Sequence, residues 1–278
     1  MTIKLTTLSE NTAGQPYLLA EWGLSILIET EEKTVLLDTG AGTSVVHNAR
    51  LLGIDLTKIE TVVLSHGHFD HTGGLQSVLP AIGHPVDVVA HPDIWIKKYN
   101  CLKDNPAREI GIPYSQKELE ALGARFIFSR GPYKLSSRMT TSGEVPMTND
   151  FEYIDTTLCV ETPEGFKTDP LRDDLAVIID APQGLIVVLG CGHRGMINTL
   201  NQAKKVTGKS KIYMVLGGCH LKDTSEEHIW QTISGLNEIG ASKLAVCHCS
   251  GMPATLLLAQ SYDKNFIFNQ AGKVIEIA

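Results

Sequence analysis

The chain has 278 residues, a formal net charge of −7, 43% hydrophobic residues and 20% charged residues. This is the profile of an ordinary soluble globular protein with material for one large core or two small ones. The acidic balance argues against nucleic-acid binding through a basic face, and no apolar stretch approaches the length of a membrane span. The first residues lack a charged-then-apolar signal layout, so a cytoplasmic protein with neither membrane nor nucleic-acid partners is expected. Homo-oligomerisation stays open. Cys101, Cys159, Cys191, Cys219, Cys247 and Cys249 form no Cys-x-x-Cys pair, and free thiols are expected in that compartment.

In chain order, residues 3–8, 24–30 and 34–38 read as strands, the last two joined by an acidic turn at Glu31-Glu32. A helix over about 44–52 ends at Gly53, and the apolar run 61–65 reads as a buried strand. Residues 86–90 form another strand, followed by a helical segment over about 93–99. From 101 to about 169, Pro106, Pro113, Pro132, Pro146, Pro163 and Pro170 interrupt the pattern. A helix at 115–123 and strands at 126–128 and 158–161 are the regular pieces there, and a segment at about 100–170 of this kind is expected to cover a pocket. Residues 175–180 and 185–189 make a hairpin around Pro182-Gln183-Gly184. A helix near 197–205, a strand at 211–216, a helix at 225–239 and a strand at 243–246 follow. The alternation indicates mixed α/β architecture, and the recurrence of strands ending in metal-type residues predicts two sheet halves with a site on a shared edge.

The chemistry is concentrated in His66-Gly67-His68-Phe69-Asp70-His71, directly after the strand at 61–65. Three imidazoles and a carboxylate in six residues are costly to crowd together unless a cation organises them. Mixed nitrogen and oxygen ligation points to a transition metal. Positions 66, 68 and 70 alternate and His71 breaks the alternation, so one rigid turn can serve two adjacent cations. Thr72 can cap a helix, Gly73-Gly74 permit close backbone approach, and Leu75, Val78 and Leu79 supply an apolar stripe. His193, just past the strand at 185–189 and flanked by glycines, is well placed to complete a metal shell.

This run resembles the HxHxDH signature of the metallo-β-lactamase superfamily. The resemblance implies one four-layer αββα sandwich over residues 1–278 and a centre of two divalent cations, zinc first, with manganese or iron as alternatives. Leu36-Leu37-Asp38-Thr39-Gly40 is similar to the LxDTG motif, which implies that Asp38 orients a ligand histidine and supports catalysis together with Asp70. The implied ligands are His66, His68, Asp70, His71, His193 and His248. Cys191 stands where many members carry a metal-bridging aspartate, and is either a ligand or a packed neighbour. No histidine lies between residues 92 and 192, where the third motif is usual; Asp173-Asp174 occupies that place, so either His193 or Asp174 fills the position. His220 reads as a substrate or phosphate contact.

Glu21-Trp22-Gly23-Leu24-Ser25, the run from Gly190 to Thr199, Gly217-Gly218-Cys219-His220-Leu221 and Cys247-His248-Cys249-Ser250-Gly251 narrow the resemblance. They are similar to the branch that makes 7,8-dihydropterin-6-ylmethyl-4-(β-D-ribofuranosyl)aminobenzene 5′-phosphate. The implied activity is a metal-dependent transfer on a small phosphorylated or heterocyclic substrate. Metal-dependent hydrolysis of an ester, lactone or phosphodiester is the alternative. A di-iron oxidoreductase without an attached flavin domain and a protein using metal only to fold rank below both.

Overall fold

The structure is a computed structural model that describes residues 2–278. A seven-stranded sheet runs in the order Val274–Ile277, Ile3–Ser9, Ser25–Thr30, Thr34–Leu37, Thr61–Val63, Val86–Ala90, Ala124–Phe128. Its first four strands pair antiparallel and the rest continue in parallel from Thr34–Leu37. A five-stranded sheet follows the order Lys243–Cys247, Ile212–Gly218, Gly184–Leu189, Ala176–Ala181, Met139–Thr141, with its first three strands parallel. Both sheets therefore contain a parallel block whose carboxyl ends open on one edge, the place where α/β sheets present ligand-binding loops.

Period-2 alternation explains why the two sheets stack. Val35, Leu37 and Val63 of the first sheet and Val177, Ile179, Ile186 and Val188 of the second share one buried cluster between the sheets. The alternate residues Leu36, Val62 and Leu64 face the helices Ser44–Leu51 and Leu75–Ile82. Likewise Ala176, Ile178 and Val187 face Met196–Thr207, Glu226–Ile239 and Met252–Tyr262. Strands covered on both faces must be apolar throughout, so these segments read as continuous hydrophobic runs. The result is the expected four-layer αββα sandwich.

Two features depart from the sequence reading. Residues 93–99 do not form a helix: a short 3-10 turn at Pro92–Trp95 gives way to the strand Lys98–Asn100. That strand pairs with Leu158–Thr162, whose other edge carries Gly165–Thr168, in a separate four-stranded sheet with Arg108–Glu109. The ladder outweighs the weak local helical pattern. Second, much of 100–170 is framework, since Ala124–Phe128 and Met139–Thr141 are edge strands of the two main sheets. The helix Met252–Tyr262 and the strand Val274–Ile277 complete the sandwich beyond the last element read from sequence.

Close backbone approach builds the turn after the HxHxDH run. The Thr39 N–H donates to the His71 carbonyl at 2.7 Å, and Gly74 N–H to the Gly40 carbonyl at 3.1 Å. A Cβ on Gly74 would sit 1.8 Å from the Thr39 carbonyl oxygen, so no side chain fits there. Gly74→Ala is expected to cost about 3 kcal/mol of stability through this overlap with fixed backbone, read as a shift of the urea midpoint; an unshifted midpoint would show that the two turns are not locked together.

Candidate metal centre

Five parallel strands of the two blocks, Thr34–Leu37 and Thr61–Val63 in the first sheet and three in the second, deliver side chains at their carboxyl ends. Asp38 follows Thr34–Leu37, the run from His66 to His71 follows Thr61–Val63, and Cys191 and His193 follow Gly184–Leu189. His220 follows Ile212–Gly218, and His248 follows Lys243–Cys247. These side chains meet at one edge, and Asp38, His66, His68, Asp70, His71, Cys191, His193 and His248 are all buried.

The donors fall into two abutting groups. In the first, His66 Nε2 lies 2.9 Å from His68 Nδ1 and 3.2 Å from His193 Nε2. In the second, His71 Nε2 lies 3.2 Å from His248 Nε2 and 3.8 Å from Asp70 Oδ2, and His248 Nε2 is 3.3 Å from the same oxygen. A tetrahedral cation with bonds of about 2.0–2.3 Å spaces its ligands by roughly 3.3–3.8 Å, so the second group fits a first-row dication and the first is slightly tighter. Lone pairs converging from three imidazoles cannot all be satisfied by shared protons. A cation satisfies them. Cys191 Sγ sits between the groups, 3.1 Å from His71 Nε2 and clustered with His66 as well.

Electrostatics sort the rings into two kinds. Burial drives His66, His68 and His193 toward the neutral form, with His68 pushed down to about 3. His71 goes the other way: burial opposes its charge, but the Asp38 and Asp70 carboxylates outweigh that and lift it to about 9. Burial also opposes ionisation of Asp70, yet His71 and His248 hold its carboxyl well below the usual carboxylate range. Asp38 Oδ2 accepts from His71 Nδ1 at 2.7 Å and from the Ser65 hydroxyl at 2.7 Å, while Oδ1 accepts the Ser65 N–H at 2.7 Å. One carboxylate thus fixes the tautomer of His71 and the strand end that begins the run.

The remaining candidates are placed as follows. Asp174 is buried, but its Oδ2 accepts the Arg194 N–H at 3.1 Å, burial raises its carboxyl to about 7, and it belongs to none of the donor groups among the described residues. Geometrically it is His193 that joins His66 and His68, because the turn Gly190-Cys191-Gly192 carries the chain back over the centre. The His220 ring lies tilted against His193 at 4.2 Å between ring centroids and pairs with Asp155 at 3.6 Å. Burial works against its charge, but Asp155 and Cys249 raise it to about 10. The half-exposed Trp22 ring tilts against His248 at 5.3 Å, with Lys222 Nζ 4.5 Å from its centroid, at the mouth of the site.

Three supports were not among the site residues expected from the sequence. Lys98 is 1% exposed and its Nζ reaches Asp169 at 2.8 Å and Asp173 at 2.9 Å; the other Asp173 oxygen accepts the Gly67 N–H at 2.8 Å, pinning the HxH turn. Beside Lys97, it reads in sequence as one more surface lysine. Glu21 accepts the N–H groups of Ala41, Gly42, Thr43 and Ser44, and Glu152 those of Ile197 and Asn198. The helix N-termini behind the two halves of the centre are thus filled by internal carboxylates rather than left for anions.

The chain belongs to the metallo-beta-lactamase superfamily, whose pattern matches residues 23–194. Within it, the chain is 32% identical to 7,8-dihydropterin-6-methyl-4-(beta-D-ribofuranosyl)-aminobenzene-5'-phosphate synthase of Methanocaldococcus jannaschii, over 99% of this chain and 96% of that protein. The crystal structure of Tm1679, a metal-dependent hydrolase of the beta-lactamase superfamily, superposes with a TM-score of 0.85 at 26% identity and 99% coverage of both chains. Zn(2+)-bound PqqB from Methylobacterium extorquens shares the fold at a TM-score of 0.58 and 12% identity, again over 99% of both chains.

Two measurements probe these supports. Lys98→Met leaves two buried carboxylates without their cation and is expected to cost about 3–5 kcal/mol in denaturant unfolding; a loss near zero would mean the triad is not closed to water. For His71 the folded-state pKa is raised, so its pairing with Asp38 stabilises the metal-free protein fully below pH 6.5 and fades as pH rises through about 9. Asp38→Asn should therefore destabilise the chelated protein more at pH 6.5 than above pH 9, and an equal cost at both would sink the assignment.

Proposed function

We propose that the protein is a metal-dependent enzyme holding one divalent cation on His66, His68 and His193 and a second on Asp70, His71 and His248. It would condense a dihydropterin-methyl diphosphate with a ribofuranosylaminobenzene phosphate or a closely related pair. The nitrogen-rich donor set favours zinc, with manganese or iron as alternatives. The observation that carries this reading is the abutment of two three-donor groups at one sheet edge. The 32% identity to the archaeal synthase over nearly the whole chain supports the substrate class.

When bound, the cations would neutralise the charge that develops on departing diphosphate. The side chains of this protein account for the rest. Asp38 accepts the Nδ1 proton of His71 and leaves Nε2 facing the centre. Asp173 and Lys98 hold the turn that carries His66 and His68. His220, kept charged beside Asp155, stands at the rim where a substrate phosphate would approach. Trp22 offers a flat, half-exposed face beside His248 for a heterocycle. In the reaction the arylamine nitrogen bonds to the pterin methylene carbon as the carbon–oxygen bond to diphosphate breaks, and the amine gives up a proton.

Hydrolysis of an ester, lactone or phosphodiester, with Asp70 orienting the attacking water, is the second reading. The likeness to the metal-dependent hydrolase Tm1679 favours it. Product analysis separates the two. Diphosphate release by metal-loaded protein that requires the arylamine is expected for the synthase, whereas release or ester cleavage without arylamine would shift the assignment to hydrolysis. Chelation should abolish turnover while leaving the far-ultraviolet circular dichroism largely intact. Unfolding on chelation would instead mark the metal as structural.

A further inference from the structure

The four cysteines around the centre separate into two kinds. Cys219 Sγ donates to the Ser250 hydroxyl at 3.0 Å, and Cys247 Sγ accepts from Asn269 Nδ2 at 3.2 Å; among the described residues neither sulfur belongs to a donor group. Cys191 and Cys249 differ. Their sulfurs and a ring nitrogen of His248 lie within 4.8 Å of one another, and both residues are at most 4% exposed. From sequence Cys249 is expected only to be a free thiol.

The backbone is shaped to bring the second sulfur in. His248 adopts a left-handed φ of 56°, a conformation a non-glycine residue keeps only where its surroundings impose it, and the turn sets the His248 ring and the next residue's sulfur in one donor group. On the neighbouring strand, a Cβ at Gly218 would lie 2.6 Å from Cys249 Sγ and 2.5 Å from the Gly190 carbonyl, so glycine there leaves the space that the sulfur fills. The sulfur also accepts the His220 N–H at 3.2 Å, a donor suited to a thiolate. As a thiol it can donate to the Cys191 carbonyl at 3.5 Å, which is the arrangement of a mere packed cysteine.

We propose that Cys191 and Cys249 both ligate, so that the His248 half of the centre takes a thiophilic divalent cation through two sulfurs. This rests on the two-cation reading and adds the identity of the metal, since sulfur donors favour zinc, cobalt or cadmium over manganese and magnesium. The shared sulfur of Cys191 then lies toward the other half, while Cys249 belongs to the His248 half alone.

The test uses the full chain, stripped of metal under reducing, anaerobic conditions and titrated with Co2+. Bound equivalents are counted, and sulfur-to-cobalt charge transfer is followed in the near ultraviolet. Wild type is expected to bind two equivalents with a band that drops to about half in Cys249→Ser and in Cys191→Ser and vanishes in the double variant. Should a variant fail to fold, the wild type decides: Cd2+ titration should raise a sulfur-to-cadmium ultraviolet band that scales with about two thiolates per chain. Two equivalents without a sulfur band, a band unchanged in Cys249→Ser, or a cadmium band of one thiolate or none overturns the inference and leaves the two-cation reading standing. Uptake of fewer than two equivalents overturns the two-cation reading, and the band intensity still decides whether both sulfurs bind.

Discussion

The carboxylate of Asp38 is the contact on which the centre depends. It is fully buried, and its two oxygens accept the backbone N–H and hydroxyl of Ser65 and the Nδ1 proton of His71. Those three bonds join the ends of two adjacent parallel strands to the far end of the HxHxDH run, across the turn that carries His66, His68 and Asp70. A buried carboxyl group is costly unless its oxygens find partners, and here the partners are the groups that must be positioned. Satisfying the charge and aiming the ligands are one requirement.

Around that contact the protein manages its remaining buried charge by internal pairing. Lys98 pairs with both Asp169 and Asp173 beneath the HxH turn, and Glu21 and Glu152 occupy two helix N-termini beside the site. Gly195 leaves the room that the Glu152 carboxyl takes, since a Cβ there would meet it at 2.2 Å. The segment 100–170 supplies partners to histidines of the main sheets: Glu144 pairs with His91, and Asp155 with His220.

Much of the site was legible in advance because it is written locally. The HxHxDH run, the Asp38 turn, the glycine-flanked His193 and the cysteine-flanked His248 each follow an apolar strand, and hydrophobic periodicity marked those strands within a few residues. The short or weakly patterned elements were not legible. Met139–Thr141 and Lys98–Asn100 are three residues long and exist because a neighbouring strand offers hydrogen bonds. The rank of His193 over Asp174 beside His66 was likewise undecidable from spacing, since both border the same hairpin.

By itself, then, the order of residues determined the superfamily, the layered α/β sandwich and the candidate donors His66, His68, Asp70, His71, His193 and His248, because ligand type, glycine placement and strand periodicity are local properties. Tertiary structure alone decided which donors face one another, that Cys191 lies between the two groups while Cys249 closes on one of them, and that an ordinary-looking lysine is the buried counter-ion of the metal turn. These are relations between strand ends far apart in sequence, such as those of His71 and His248, which are 177 positions apart. Only the packing of the two sheets sets such distances.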